Sequence, residues 1–425
     1  MSRRFELALA LALTLLLAAC SSGGTPRPRG TATRSSSPTP APPTSTATPP
    51  APKDLTLWVS PFFAPDVETE AGLLLAERLH SFEQQHAGVS IDVRVKAERG
   101  TGGLLDSLIT ASSAAPASLP DLILLDPDSA HSAAVQGILA PLGEQLVPPD
   151  DLNWYGYALP VSTYNGTSIA YPVAAFTDVL AYRTDLYSEP PRSWELLLES
   201  PRTFLFPAGD PRARFTLTQY LASGTHLRDT NGNLVLDAAI LTDILDFYSL
   251  AAETGVIPSA ALDYTRSDET WDEFLANRSA SSAAPFTRFL AEFDPARMAA
   301  IPQPTMSGTG ISLATTWSWS IVSKDSARLE LAAELVDWLT APSFLGQWTH
   351  ALRVLPTRSN VLAYWPDGAD TSLASSLVTS AYPLPDEDVR TRLGLLIDNA
   401  VKAVLEEGVA PTSAAQAAIE ALQSP

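Results

Sequence analysis

The sequence predicts an α/β fold divided into two lobes, and three observations carry this prediction. The part of the 425-residue chain that follows residue 52 is longer than one hydrophobic core usually supports. It contains a nearly continuous apolar strand, LPDLILLDPDS (119–129), of the kind found in sheets covered on both faces. Segments with helical spacing alternate with such strands, which indicates a mostly parallel sheet flanked by helices.

The N-terminus is typical of a secretory signal, which we assign to residues 1–19. Arg3 and Arg4 precede an apolar run that is too short for the roughly 20 residues of a membrane span. The run ends in Leu17-Ala18-Ala19-Cys20, which resembles the bacterial lipobox. That resemblance implies that Cys20 is diacylated and becomes the new N-terminus. The alternative is an ordinary signal peptide with an incidental cysteine, but a lone exposed thiol is a liability outside the cytoplasm.

Residues 20–52 predict a lipidated cysteine followed by a disordered tether. The segment consists almost entirely of Ser, Thr, Pro, Gly and Ala, with no Asp or Glu and no large apolar side chain. Such a composition cannot bury enough surface to offset the entropy lost on ordering. We therefore expect a lipid anchor, a stalk and then a folded body that is held away from a membrane.

The charge of the chain excludes one class of partner. The net charge is −20, and residues 1–52 hold five arginines and one glutamate, so residues 53–425 carry −24. An acidic surface repels phosphate backbones, and we expect no nucleic-acid partner.

Catalytic signatures are absent from the sequence. No H-E-x-x-H, G-x-S-x-G or P-loop motif and no paired zinc ligands occur, and the five histidines are scattered. We therefore predict a protein without catalytic residues, cofactor or metal. A glycoside hydrolase that uses two carboxylates has no short motif and stays open as an alternative.

The first half of the body alternates strands and helices. The pattern predicts strands over 54–63, 89–97 and 119–129, helices over 70–88 and 102–114, and an extended pair over 168–187. The second half is richer in helices. They are predicted over 190–199, 236–255, within 270–286, over 326–342 with a stop at Pro342, and around 393–407 and 413–422, with a strand over 310–326.

Ligands of open α/β sheets bind beyond the carboxyl ends of the strands. The side chains that follow the first and third predicted strands are Ser60, Phe62, Phe63, Asp126 and Asp128. They are the first candidates for a binding site. Asp126 can equally cap the helix that follows it.

The order of segments resembles the extracellular solute-binding proteins of bacterial ABC importers, of the maltose- and oligosaccharide-binding type. Seven stretches carry the likeness: LTLWVS, FEQQHAGVSIDV, LPDLILLDPDSAHSAAVQGILAPL, IAYPVAAFTDVLAYRTDLY, PPRSWELL, WSIVSKDSARLELAAELVDWLTAPSFLGQW and VLPTRSNV. Each match is weak alone, but they occur in the family's order behind a lipobox and a tether.

The resemblance implies the periplasmic-binding-protein type II fold, with mixed sheets flanked by helices and a ligand cleft between two lobes. Lobe one would comprise 53–174 and 318–358, and lobe two 177–316 and 359–425, with crossings near Val173–Phe176, Trp317 and Arg358. It also implies hinge closure on a small solute, delivery to the subunits of an ABC permease, and a monomeric chain. A lipoprotein that senses a ligand and signals to a receptor is a further alternative.

The resemblance also implies a carbohydrate site. Aromatic rings stack on the C–H faces of sugars, and carboxylates bind their hydroxyls. Asp128 stands where the family often has such a carboxylate, Phe176 lies in the first crossing, and Phe286 stands in the place of a family tryptophan. We expect one of Trp317 and Trp319 to face the cleft. The family's aromatic contacts near the penultimate helix have no match around residues 390–396, which favours a smaller or different ligand.

One loop has partial metal-site character. DTNGNLVLD (229–237) resembles half of a calcium loop, but Ile240 stands where an EF-hand needs glutamate. A tight turn followed by Asp237 as a helix N-cap explains the same residues, and we favour that interpretation.

Overall fold

The computed structural model describes residues 54–143, 146, 153–199 and 202–424. The predictions for the signal segment, Cys20 and the tether lie outside these residues. No helix in the described part of the chain combines the length and apolar character that spanning a bilayer requires.

The first part of the chain alternates strands and helices as predicted, with shorter strands. The elements are β1 Asp54–Val59, α1 Glu70–Gln85, β2 Ser90–Val95, α2 Leu104–Ala114, β3 Leu122–Leu125, α3 Pro127–Val135, β4 Thr163–Tyr164, β5 Thr167–Ser168 and β6 Tyr171–Phe176. β1 stops before Pro61, which begins a single 3₁₀ turn. β3 stops before Asp126, which caps α3.

The middle of the chain forms β7 Asp178–Arg183, α4 Trp194–Glu199, β8 Phe204–Leu205, α5 Arg214–Ala222, α6 Ala238–Glu253, α7 Ser267–Leu275, β9 Ser281–Pro285, α8 Phe286–Ala291 and β10 Met298–Ile301. The Asp237 side chain accepts hydrogen bonds from the backbone N–H groups of Ala239 and Ile240, so the predicted N-cap of α6 is confirmed.

The last part forms β11 Ser312–Ile321, α9 Ser326–Leu339, α10 Pro342–Leu352, β12 Leu355–Pro356, α11 Ser359–Leu362, α12 Ala369–Ser380, β13 Ala381–Pro383, α13 Glu387–Leu405 and α14 Pro411–Gln423. Pro342 does not merely stop a helix. It stands in the first turn of α10, where its missing N–H costs no hydrogen bond.

The first sheet is mixed, which confirms the mixed sheets that the family resemblance implies and corrects the mostly parallel sheet expected from the alternation of strands and helices. Its order is β12-β6-β11-β3-β1-β2, and β13 pairs with β11. β1 runs parallel to β2 and β3, whereas β11 is antiparallel to both β3 and β6. β11 aligns Ser318 with Leu125, so its earlier residues, Ser312 to Trp317, extend past the carboxyl end of β3. The second sheet has the order β10-β7-β9-β8.

Each sheet has its own hydrophobic core, as expected for a two-lobed protein. The first lobe is the first sheet with α1, α2, α3, α9 and α10, whose buried residues form one cluster. The second lobe is the second sheet with α4, α5, α6, α13 and α14, whose buried residues form another. A third cluster joins the two sheets, because Ala175 and Ala314 of the first sheet pack with Val179 and Ala284 of the second.

Candidate functional site

Asp126 is a capping residue in this structure. Its Oδ1 accepts hydrogen bonds from the backbone N–H groups of Asp128 and Ser129, at 3.1 and 3.2 Å, and its Oδ2 accepts one from the Ser129 hydroxyl at 2.7 Å. The side chain is buried. Both carboxylate oxygens are therefore occupied in starting α3, and the capping alternative accounts for this residue.

Asp128, the second residue of α3, joins the two lobes. Its Oδ2 accepts a hydrogen bond from Nη2 of Arg390 at 2.5 Å, and these side chains are only 20% and 5% exposed. Arg390 lies on α13, whose apolar face belongs to the second core. The Nε of Arg390 also donates to the carbonyl oxygen of Pro385 at 2.7 Å, which fixes the guanidinium toward α3. The carboxylate singled out from sequence thus takes part in an ion pair between the lobes.

Beside this ion pair lies a cavity of about 1450 Å³, which we call the interlobe cavity. One wall is the start of α3, with Asp128 and His131, together with the β4–β5 hairpin. The opposite wall is the loop 224–228 after α5 and the segment 382–392 that leads from β13 into α13. Both lobes therefore contribute walls, as a ligand that bridges two lobes would require.

Two tyrosines line the interlobe cavity, and neither was singled out from sequence. Tyr164 in β4 meets the ring of His131 edge to face, with 5.4 Å between ring centroids. Tyr382 in β13 is 50% exposed. They were missed because β4 and β13 are too short to give a periodic pattern, although an aromatic residue beside prolines in YPLP is a signal that could have marked Tyr382.

The polar groups of this cavity are already balanced in part. Nη2 of Arg228 donates to Oδ2 of Asp388 at 2.6 Å, so this cation of the cavity wall is already paired. The pKa of Asp388 lies below its usual value even though burial alone would raise it, because hydrogen bonding to Arg228 and the charge of that guanidinium outweigh burial. Arg392 lines the same wall, is exposed and has no ion-pair partner among the described residues.

Four of the predicted aromatic residues form one cluster where the sheets meet. The ring of Phe62 lies 5.0 Å from that of Phe63 and 4.9 Å from that of Phe176, and Phe63 lies 5.1 Å from Trp317. Phe62 is 42% exposed, whereas Phe63 and Trp317 are buried. The structure therefore brings these residues together, with Phe62 as the most accessible ring of the four.

Phe176 also borders a smaller pocket of about 320 Å³, which we call the crossing pocket. Arg214 donates to the carbonyl oxygen of Leu313 and the hydroxyl of Thr315, so it is held against β11. Asp178 accepts a hydrogen bond from Ser267 at 2.9 Å. Burial raises the pKa of Asp178, and Arg214 opposes the shift. The pocket thus offers charged groups of both signs next to an aromatic ring.

The remaining predicted residues lie inside the protein. Ser60 and Trp319 are about 1% exposed, and Phe286 has no exposed surface at the start of α8. The Oγ of Ser60 and the Nε1 of Trp319 have no hydrogen-bond partner among the described residues. In this conformation these three side chains present no face to a solute. Trp58, expected to pack rather than to bind, is a buried member of the first core.

The loop with partial calcium-site character is a tight turn. Oδ1 of Asp229 accepts hydrogen bonds from the backbone N–H groups of Asn231 and Asn233, at 2.8 and 2.9 Å, and its Oδ2 accepts one from the Asn233 side chain. Gly232 has a φ of 84°, which favours glycine. Among the described residues no group of three or more potential metal ligands occurs.

Comparison with protein families identifies the family of this chain. The sequence model of the bacterial extracellular solute-binding proteins matches residues 77–372, which is more than half of the chain. The chain belongs to this family. No curated protein sequence is significantly similar to the chain.

Solved structures share the fold of this solute-binding protein. The sugar-binding protein MalE from Xanthomonas citri is 18% identical, with a TM-score of 0.71 over 87% of this chain and 96% of that one. The cyclic α-maltosyl-1,6-maltose-binding protein from Arthrobacter globiformis is 17% identical, with a TM-score of 0.70 and coverages of 87% and 98%. MalE from Listeria monocytogenes, solved in complex with maltose, is 16% identical, with a TM-score of 0.69 over 87% of this chain and 97% of that one. At these identities the likeness shows the two-lobed fold.

Proposed function

We propose that this protein captures an extracellular sugar or oligosaccharide between its lobes and delivers it to the permease of an ABC importer. The observation that carries the proposal is the interlobe cavity, because the walls that both lobes contribute make binding and lobe closure one event. Family membership supports capture of an extracellular solute.

The sugar assignment rests on the rings and polar groups that face the cleft. Tyr164 and Tyr382 line the interlobe cavity and offer aromatic faces for the C–H patches of a sugar. We propose Phe62, which is 42% exposed where the two sheets meet, as a further stacking ring. Arg392 and Asp128 are suited to hydroxyl groups, since guanidinium donates and carboxylate accepts hydrogen bonds. The structural neighbours named above are described as sugar- or maltose-binding proteins, which favours the same class. The volume of about 1450 Å³ suits an oligosaccharide better than a single ring, in contrast to the smaller ligand that the missing aromatic match around residues 390–396 favours.

The proposal includes the anchor and the lobe boundaries expected from sequence. Cys20 would carry the lipid, 20–52 would form the tether, and the monomeric body would close by motion of 53–174 and 318–358 against 177–316 and 359–425. We propose binding without catalysis, so the sugar would be released unchanged.

Thermal unfolding of the full-length chain in detergent, with sugars, amino acids, polyamines and metal ions added one at a time, tests the proposal. A sugar at 100 times its dissociation constant should stabilise the fold by about 2.7 kcal/mol. A shift with amino acids or cations alone would overturn the sugar assignment. Consumption of the sugar during the assay would overturn binding without catalysis.

A further inference from the structure

Four arginines converge on a pocket at the end of the second sheet that is remote from the crossing pocket. This pocket of about 580 Å³, which we call the arginine pocket, is lined by Arg183, Arg202, Arg278 and Arg297. Arg183 ends β7, and the other three stand just before β8, β9 and β10. β7 starts at Asp178 in the crossing pocket and is six residues long, so the two pockets are separated by about 17 Å of strand.

The arginine pocket carries an excess of positive charge in an acidic protein. Arg278 is neutralised by Glu273, which it contacts through two nitrogens. Among the described residues no carboxylate lies within ion-pair distance of Arg183, Arg202 or Arg297. Asp185 is the acidic residue that lines the pocket. Three guanidinium groups thus face one carboxylate in a chain whose net charge is −20.

Part of this charge is fixed in place. The Nε and Nη2 of Arg183 donate to the carbonyl oxygens of Ser279 and Phe274, at 3.3 and 2.6 Å, and its side chain is buried. Arg297 donates to Oδ1 of Asn277 at 3.1 Å. Burial lowers the pKa of Arg183, and the like charge of Arg297 lowers it further.

A polar group without a partner lies in the same pocket. Ser279 is 5% exposed, lines the pocket, and its Oγ has no hydrogen-bond partner among the described residues. A buried hydroxyl without a partner is costly, so a ligand that accepts its hydrogen bond would be favoured.

We propose that the arginine pocket binds a phosphate group. Guanidinium groups match phosphate oxygens in geometry and charge, and the Ser279 hydroxyl supplies a further donor. The pocket has room for an organic group beside the phosphate. Two sources share this chemistry: a soluble phosphomonoester, and the headgroup of a phospholipid near which a lipid anchor would hold the protein. Neither involves the interlobe cavity, so this proposal is independent of the sugar site.

Calorimetric titration of the full-length chain in detergent tests the proposal with two probes, inorganic phosphate and glycerophosphoglycerol. The first represents the soluble source and the second the headgroup of an anionic lipid. The titrations are compared at equal ionic strength made up with chloride. The variants are Arg202→Ala/Arg297→Ala and Ser279→Ala, and Arg99→Ala is the matched control because Arg99 is an exposed arginine of the first lobe.

We expect saturable binding of at least one probe. Removal of both guanidinium groups should weaken it by about 100-fold, or about tenfold for each, whereas Arg99→Ala should leave it unchanged. Tighter binding of phosphate would identify the soluble source, and tighter binding of glycerophosphoglycerol the lipid headgroup. Failure of both probes to bind, or equal binding by the double variant with unchanged thermal unfolding, would overturn the proposal.

Discussion

Replacement of Asp128 by alanine should shift the lobes toward an open arrangement. The variant removes the carboxylate that meets Nη2 of Arg390 at 2.5 Å and leaves that guanidinium, 5% exposed, with the carbonyl of Pro385. At an effective dielectric constant of about 20 the gross attraction is about 7 kcal/mol. Removing one partner of a buried pair costs about 3–5 kcal/mol, and the 20% exposure of Asp128 places this pair near 3.

This free energy acts on the contact between the lobes. In the lobe motion proposed above, opening separates α3 from α13, so the pair would stabilise the joined arrangement and would be lost in the open one. About 3 kcal/mol corresponds to a change of about 100-fold in the ratio of the two arrangements. Solution X-ray scattering should therefore give a larger radius of gyration for Asp128→Ala than for the unmodified chain, and sugar binding should weaken.

The matched control for this variant is Asp106→Ala. Asp106, like Asp128, lies in the first turn of a helix, where a carboxylate interacts favourably with the helix dipole. It bonds a backbone N–H of its own loop rather than the other lobe. Asp106→Ala should leave the radius of gyration unchanged. The same radius for both variants and the unmodified chain would refute the role of the ion pair.

Three further predictions concern stability and the aromatic cluster. A Cβ on Gly394 would lie 2.5 Å from a backbone carbonyl oxygen, so Gly394→Ala should lower the free energy of unfolding by about 1–3 kcal/mol. A Cβ on Gly156 would meet nothing within 4 Å, so Gly156→Ala should leave the free energy of unfolding unchanged. Urea unfolding measures both variants, and equal free energies would contradict the close packing at Gly394. Burial raises the pKa of Asp398, so the folded chain binds this proton more tightly than the unfolded chain, and stability falls as pH rises through the folded pKa. Asp398→Asn should therefore raise the free energy of unfolding at pH 7 but not below about pH 4. An increase that persists below about pH 4 would contradict the raised pKa. Phe63 is buried, so Phe63→Ala should lower the free energy of unfolding by about 3–5 kcal/mol. Phe62 is 42% exposed, so Phe62→Ala should weaken sugar binding with little loss of stability. Equal losses of stability in the two variants would contradict this difference in exposure.

Local signals predicted the elements well. Asp237 marked the start of α6, and strand-like alternation marked β1 and β2 within a few residues. Pro342 was ambiguous because proline both ends one helix and starts another, and α10 therefore went unpredicted. The direction of β11 has no local signal either, since antiparallel pairing with β3 depends on a chain that returns from the second lobe.

The candidate site was predictable by region rather than by contact. Carboxyl-end reasoning selected Asp128, but its partner Arg390 lies 262 residues away, and no periodicity links two such positions. The sequence likewise shows a ring at Phe286 but not that α8 packs it inside. Such contacts are decided by the packing of whole lobes, so residue type alone does not distinguish a ligand contact from a core side chain.

The central claim, that the interlobe cavity binds a sugar, is tested most directly by calorimetric titration of the sugar that gives the largest thermal shift. The unmodified chain is compared with Tyr382→Ala and Tyr364→Ala. The two tyrosines are 50% and 51% exposed, but only Tyr382 lines the cavity. Loss of the stacking ring should weaken binding by about tenfold, and Tyr364→Ala should bind as the unmodified chain does. Equal affinity in all three proteins, or no saturable binding of any sugar, would contradict the claim.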